Sequence, residues 1–147
     1  LPQSTIQILL VEDDEDDVEL TLHAFRKHRL ANHIHVERDG AAALEFLFGS
    51  GSEGRPAWAG PRLIMLDLKL PLVDGLEVLR RLKSDERTRS IPVVVLTSSR
   101  AEPDIAEAYR LGVNSYIVKP VDFEKFTDVM QTLGAYWLLV NQPATLT

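Results

Sequence analysis

Short, nearly continuous apolar runs alternate along the chain with longer segments whose apolar residues recur at helical spacing. That is the pattern of alternating strands and helices. The first run, Ile6-Gln7-Ile8-Leu9-Leu10-Val11, stops at Glu12-Asp13-Asp14 and predicts a strand. From Asp16 to Arg29, Val18, Leu22 and Phe25, with Leu30 beyond, fall opposite Glu19, Arg26 and Lys27, as in an amphipathic helix. Ile34-His35-Val36-Glu37 predicts a weaker strand. Asp39-Gly40, followed by Ala41, Ala42, Ala43, Leu44, Phe46 and Leu47, predicts a turn and a second helix.

From Gly49 to Pro61 the chain is rich in Gly, Ser and Pro, which predicts a surface loop longer than a minimal connection. Arg62-Leu63-Ile64-Met65-Leu66-Asp67 and Ile91-Pro92-Val93-Val94-Val95-Leu96-Thr97 are apolar almost throughout, as strands covered on both faces of a parallel sheet must be. Between them, Asp74-Gly75 opens a helix through Leu76, Val78, Leu79 and Leu82. A helix from about Pro103 to Leu111, a strand at Ser115-Tyr116-Ile117-Val118 and a helix from about Asp122 to Leu139 complete five βα units. Such alternation predicts an α/β fold, a doubly wound parallel sheet with right-handed crossovers. A closed eight-unit barrel would need about 250 residues.

At 147 residues and 45% hydrophobic content the chain reads as one domain, 1–147, with a core over about 6–139 and a C-terminal tail at 140–147. No effector domain is expected after Leu139. The formal charge of −6 argues against nucleic-acid or anionic-membrane binding. The absence of cysteine excludes disulfides, thiolate metal sites and cysteine nucleophiles. Neither a spanning helix nor a signal peptide is legible, so a cytoplasmic location is expected.

The chemistry concentrates where the strands end. Glu12-Asp13-Asp14 follows the first strand, Asp67 ends the third, Thr97-Ser98-Ser99 the fourth and Lys119-Pro120 the fifth. In a doubly wound sheet these ends share one edge, where ligands bind. Like charges about 4 Å apart repel by roughly 4 kcal/mol at an effective dielectric of about 20. A divalent cation would offset that repulsion, and a carboxylate and carbonyl donor set without histidine or thiol suits Mg²⁺. Singly, each residue has an ordinary structural use, such as an acidic helix start or a turn cap. Their joint placement is what points to a site.

In combination, Ile8-Leu9-Leu10-Val11-Glu12-Asp13, Leu66-Asp67-Leu68-Lys69-Leu70-Pro71, Asp74-Gly75, Val95-Leu96-Thr97-Ser98 and Tyr116-Ile117-Val118-Lys119-Pro120 resemble the receiver domain of two-component response regulators. The resemblance runs from about Ile6 to Leu139 and implies the flavodoxin-like strand order 2-1-3-4-5. It implies a signalling receiver and not an enzyme, with Asp67 accepting a phosphoryl group from a kinase phosphohistidine. Glu12, Asp13, Asp67 and the backbone carbonyl of Lys69 would hold Mg²⁺. Thr97 and Lys119 would contact the phosphoryl group, Lys69 and Ser99 would flank it, and a cis Pro120 would turn Lys119 inward. Thr97 and Tyr116 would form a switch that reshapes the face of the fourth helix, fifth strand and fifth helix.

The long loop before the third strand, Thr97-Ser98-Ser99, Lys119-Pro120-Val121-Asp122 and Tyr136-Trp137-Leu138 further resemble stand-alone receivers that partner bacterial phytochrome histidine kinases. Output would then pass through protein contacts. A homodimer is expected, through the switch face or through Tyr136, Trp137 and Leu138, which exceed what one sheet face requires. His23, His28, His33 and His35 lie away from the strand ends and read as surface groups.

Three other readings share part of this pattern. A haloacid-dehalogenase-like phosphatase also uses a strand-end Asp nucleophile, but places a second Asp where this chain has Lys69. A flavodoxin-like FMN module needs a phosphate-cradling loop where Glu12-Asp13-Asp14 stands. A phosphate-independent interaction module would not need the intact set Glu12, Asp13, Asp67, Thr97 and Lys119.

Overall fold

The computed structural model describes residues 7–27, 33–49 and 60–137. Its elements are β1 (Ile8–Val11), α1 (Glu15–Arg26), β2 (Ile34–Glu37), α2 (Gly40–Phe48), β3 (Leu63–Leu66), α3 (Gly75–Ser84), β4 (Val93–Thr97), α4 (Glu102–Leu111), β5 (Ser115–Val118) and α5 (Phe123–Ala135). All strand pairings are parallel and the order is β2-β1-β3-β4-β5. The fold class and strand order are those expected from the sequence. Most of the loop expected at 49–61, together with Leu138, lies outside the described residues.

Alternation along the central strands divides the core in two. Leu9, Val11, Ile64, Leu66, Val93 and Val95 pack with α2, α3 and α4 residues such as Leu47, Leu79 and Ala108. Ile8, Leu10, Leu63, Met65, Val94 and Leu96 pack against Phe25 of α1 and Phe126 and Met130 of α5. Successive side chains of a strand point to opposite faces, so strands covered on both faces are apolar at every position. β1, β3 and β4 are fully buried, whereas β2 and β5 at the edges are half-buried.

Four helices begin with an aspartate cap. Asp14, Asp39, Asp74 and Asp122 accept the backbone N–H groups of Asp17, Ala42, Glu77 and Lys125, satisfying donors that a helix start leaves open. α4 has Pro103 in its first turn and no side-chain cap at Ala101. The Asp14 cap starts α1 one residue earlier than the apolar stripe suggests. α5 ends at Ala135, short of the expected Leu139, with Tyr136 and Trp137 continuing it as a wider turn.

Register sets the site. Val11 pairs with Leu66, and the Asp67 N–H donates to the Val11 carbonyl at 3.0 Å, so Glu12 and Asp67 leave the sheet side by side. The Lys119 N–H donates to the Thr97 carbonyl at 2.8 Å. Gly75 lets α3 start directly beneath this edge. A Cβ there would stand 2.2 Å from the Asp67 carbonyl oxygen and 2.6 Å from Leu68 Cα.

Candidate functional site

Lys119 sits at the centre of the strand-end cluster. Its Nζ lies 2.7 Å from Glu12 Oε1, 2.6 Å from Asp17 Oδ2 and 3.2 Å from Asp67 Oδ2. Glu12 and Asp67 are buried, 2% and 6% exposed. The Leu68 and Lys69 N–H groups donate to Asp67 Oδ1 at 2.7 and 3.4 Å, which fixes the plane of that carboxylate. The Asp14 N–H donates to Glu12 Oε2 at 3.1 Å.

One ammonium cannot balance three carboxylates. The surplus falls on the most deeply covered acid: burial pushes Glu12 up from 4.5 to about 8, and the neighbouring Asp67 charge adds to the rise against the opposing Lys119 contact. Burial by itself would make Lys119 a weaker base, but the contacts with Asp17 and Glu12 and the Asp67 charge outweigh it and hold it above its ordinary value. The cluster thus keeps Lys119 charged and stores a proton on Glu12 near neutrality.

That excess of negative charge is what a divalent cation would relieve. Carboxylate oxygens of Glu12, Asp13 and Asp67 lie within 4.8 Å of one another. The set contains no imidazole or thiolate and suits a hard cation that keeps several waters. It is also the one such group among the described residues. An open groove of about 510 Å³ runs beside it, lined by Asp13, Lys69, Leu70, Pro71, Asp74 and Asp104.

Thr97 is fully buried at the end of β4, and its Oγ1 accepts the Ser99 N–H at 3.4 Å. The Tyr116 hydroxyl donates to the Ser99 carbonyl at 3.0 Å. Burial raises the Tyr116 hydroxyl above its usual value, the Ser99 bond opposes that rise, and the Asp104 and Asp67 charges add to it. The structure therefore brings Glu12, Asp13, Asp67, Thr97 and Lys119 to one edge of the sheet, with Tyr116 one loop away.

One expectation changes. No cis peptide occurs among the described residues, so the bond before Pro120 is trans, and Lys119 reaches the carboxylates without the expected turn. Trp137 is partly buried against its own core beside α5, where the sequence suggested a surface offered to a partner. Helical spacing returns the ring to the face that α5 already covers. Tyr136 remains 47% exposed and meets Trp137 edge-on at 5.0 Å.

Asp17 and Asp104 were not legible. Asp17 sits in the first turn of α1, where favourable interaction with the helix dipole already accounts for an acid. Its position four residues after Asp13 was the available hint. The Asp104 carboxylate accepts the Ser99 hydroxyl at 2.6 Å and lies 3.7 Å from Lys69 Nζ. Among the described histidines, His35 pairs with Glu37 at 2.6 Å and stacks on Phe46 at 4.0 Å. His23 lies near Phe123. His33 is exposed.

Comparison with known proteins matches residues 8–131 to the response regulator receiver domain. A probable methanogenesis regulatory protein, FilR2 of Methanothrix harundinacea, is 44% identical over 135 residues, 92% of this chain and 85% of the relative. Response regulator Rcp1 of Synechocystis is 39% identical over 93% of this chain and 92% of its own length. Its Mn²⁺-bound structure superposes with a TM-score of 0.86 at 36% identity, covering 94% and 98% of the two chains. The bacteriophytochrome response regulator AtBRR is 51% identical, with a TM-score of 0.71 over 96% of this chain and 100% of that one.

Proposed function

The chain belongs to the response regulator receiver family, and we propose that Asp67 is the residue through which it receives a phosphoryl group from a sensor histidine kinase. The observation that carries this is the buried Asp67 carboxylate, pinned by the Leu68 amide and facing the Lys119 ammonium at 3.2 Å. An Asp67 oxygen attacks the phosphorus of a phosphohistidine. The P–O bond forms as the P–N bond breaks, and the leaving imidazole keeps the electron pair and takes a proton from solvent. Phosphoryl transfer asks for positioning and neutralisation of spread charge.

The receiver binds Mg²⁺ at its acidic pocket, and the cation supplies neutralisation of the phosphoryl oxygens. We assign Glu12, Asp13, Asp67 and the Lys69 carbonyl as its ligands. The clustered carboxylates support this, and the Synechocystis relative holds Mn²⁺. The buried Thr97 hydroxyl donates to one phosphoryl oxygen and Lys119 pairs with another. Tyr116, tied to Ser99, reports the shift of that loop on the α4–β5–α5 face, where binding partners read it.

A phytochrome-type kinase is the partner we propose, on the 51% identity to a bacteriophytochrome response regulator. The same reading makes the chain a homodimer, joined at the α4–β5–α5 face or at the aromatic end of α5. Among the described residues no helix is long and apolar enough to cross a membrane.

Intact mass after incubation with acetyl phosphate tests the assignment. One labile phosphoryl adduct that requires both Mg²⁺ and Asp67, and is absent in Asp67→Asn, is expected. Catalytic loss of acetyl phosphate without an adduct would instead indicate a phosphatase. A kinase panel showing no preference for phytochrome kinases would remove that partner alone.

A further inference from the structure

A lysine ammonium has three N–H donors and no acceptor. Three carboxylate oxygens surround Lys119 Nζ, Asp17 Oδ2 at 2.6 Å, Glu12 Oε1 at 2.7 Å and Asp67 Oδ2 at 3.2 Å. Each donor therefore has one partner. The donor facing Asp67 meets the oxygen that the backbone leaves open, because the Leu68 and Lys69 amides both turn to Oδ1. The contacts with Glu12 and Asp17 set where that third donor points.

Those two acids are not equivalent. Glu12 belongs with Asp13 and Asp67 to the carboxylate group suited to a cation, and Asp17 stands outside it. With Glu12 and Asp67 given to a cation, Asp17 is the acid left to Lys119 alone. Asp17 is also the stiffer end of the pair. Its N–H donates to Asp14 Oδ1 at 3.1 Å and its carbonyl accepts the buried Thr21 hydroxyl at 2.8 Å, so α1 fixes its backbone on both sides. Lysine carries its ammonium on a flexible four-carbon stem, whereas aspartate extends by a single methylene. Asp17 thus dictates where Nζ sits. The two side chains are 23% and 8% exposed, so little water competes for the contact.

Taking Asp67 as the phosphoacceptor, as proposed above, we propose that Asp17 is a positioning residue that aims the Lys119 ammonium at the phosphoryl group. A phosphoryl group on Asp67 Oδ2 brings anionic oxygens next to the donor already directed at that atom, and Asp17 holds the donor there. An acid in the first turn of α1 also favours the helix dipole, and removing it changes the electrostatic field at the site. Both of those effects depend on the charge, which Asp17→Asn and Asp17→Ala remove alike. The two variants differ in the acceptor oxygen, which asparagine keeps and alanine lacks. The difference between them therefore reads the aim.

The test is Mg²⁺-dependent binding of beryllium fluoride, a stable stand-in for the phosphoryl group, measured by titration calorimetry on the full chain beside titrations with Mg²⁺ alone. Asp17→Ala should bind beryllium fluoride about tenfold more weakly than Asp17→Asn, the size of one charge-assisted hydrogen bond. Their Mg²⁺ affinities should be equal. In the metal-free protein, nitrogen-15 relaxation of the Lys119 ammonium should give an order parameter that falls in Asp17→Ala and holds in Asp17→Asn. Asp17→Ser, with a side chain too short to reach Lys119, should repeat the alanine result and replaces it if the alanine variant does not fold. Equal beryllium fluoride affinities in the asparagine and alanine variants overturn the proposal. So does a difference that appears equally with Mg²⁺ alone, or an unchanged order parameter in Asp17→Ala. A parent protein that binds no beryllium fluoride with Mg²⁺ overturns the phosphoacceptor reading, and the aim with it. A parent that binds normally, beside two variants that match each other, overturns the aim alone.

Discussion

The Lys119 ammonium lies closer to Asp17, at 2.6 Å, than to Asp67, at 3.2 Å. Asp17 is thus a third anion drawing on a cation that the reactive carboxylate also uses. Asp17→Asn leaves two carboxylates on one ammonium and lowers the local surplus of negative charge. Urea denaturation in chelator should show stability unchanged or raised. A loss above about 1 kcal/mol would mean that the pair supports the fold more than it crowds the site.

Lys119 itself should behave in the opposite way. Its side chain is 8% exposed, and Lys119→Ala leaves Glu12, Asp17 and Asp67 without a counter-charge. Removing one partner of a buried ion pair costs about 3–5 kcal/mol, so the metal-free variant should lose on the order of 3 kcal/mol. Mg²⁺ should restore part of that loss, because it neutralises the same carboxylates. Equal losses with and without Mg²⁺ would contradict this account.

The raised pKa of Glu12 gives a pH signature. Between its ordinary value of 4.5 and about 8, the folded protein holds a proton that the unfolded chain has released. Stability of the metal-free protein therefore falls as pH rises through that window, by up to about 5 kcal/mol. The depressed carboxylates Glu15, Asp85 and Glu107 act below the window, and Lys83, lowered to about 8 by burial, acts above it. Mg²⁺ displaces the proton, so its apparent affinity should drop about tenfold per unit of pH below 8. Glu12→Gln should flatten the stability slope.

Gly75 tests how tightly the site rests on the helix below it. A methyl group at Gly75 would collide with the Asp67 carbonyl and Leu68 Cα, which are backbone atoms. Gly75→Ala should therefore displace the Leu68 amide from Asp67 Oδ1. Phosphoryl-adduct formation from acetyl phosphate should slow by at least about tenfold, with a stability loss of about 1–3 kcal/mol. A variant that reacts at the parent rate would show that this amide is dispensable.

The strand order and the convergence of Glu12, Asp67, Thr97 and Lys119 were legible because buried parallel strands must be apolar throughout. The first polar residue therefore marks where each strand leaves the apolar sheet, even though Glu12, Asp67 and Thr97 are themselves buried there. Asp17 and Asp104 were hidden for a physical reason. Each sits in the first turn of a helix, where an acid already has a local explanation, and the lysine that each meets lies far off in sequence. The Asp17–Lys119 contact spans 102 residues and the Lys69–Asp104 contact crosses two loops.

The aromatic end of α5 separates packing from association. Trp137 packs against its own core, whereas Tyr136 is 47% exposed and leans edge-on against it. Trp137→Ala removes intrachain burial and should lower stability by about 2 kcal/mol. Tyr136→Ala should cost under about 0.5 kcal/mol, as for most surface substitutions. If the end of α5 joins two copies, the exposed ring carries the contact. Light scattering should then show Tyr136→Ala as monomers at a concentration where the parent is dimeric. A dimer that survives Tyr136→Ala would move the contact to the α4–β5–α5 face, where Tyr109 is 52% exposed.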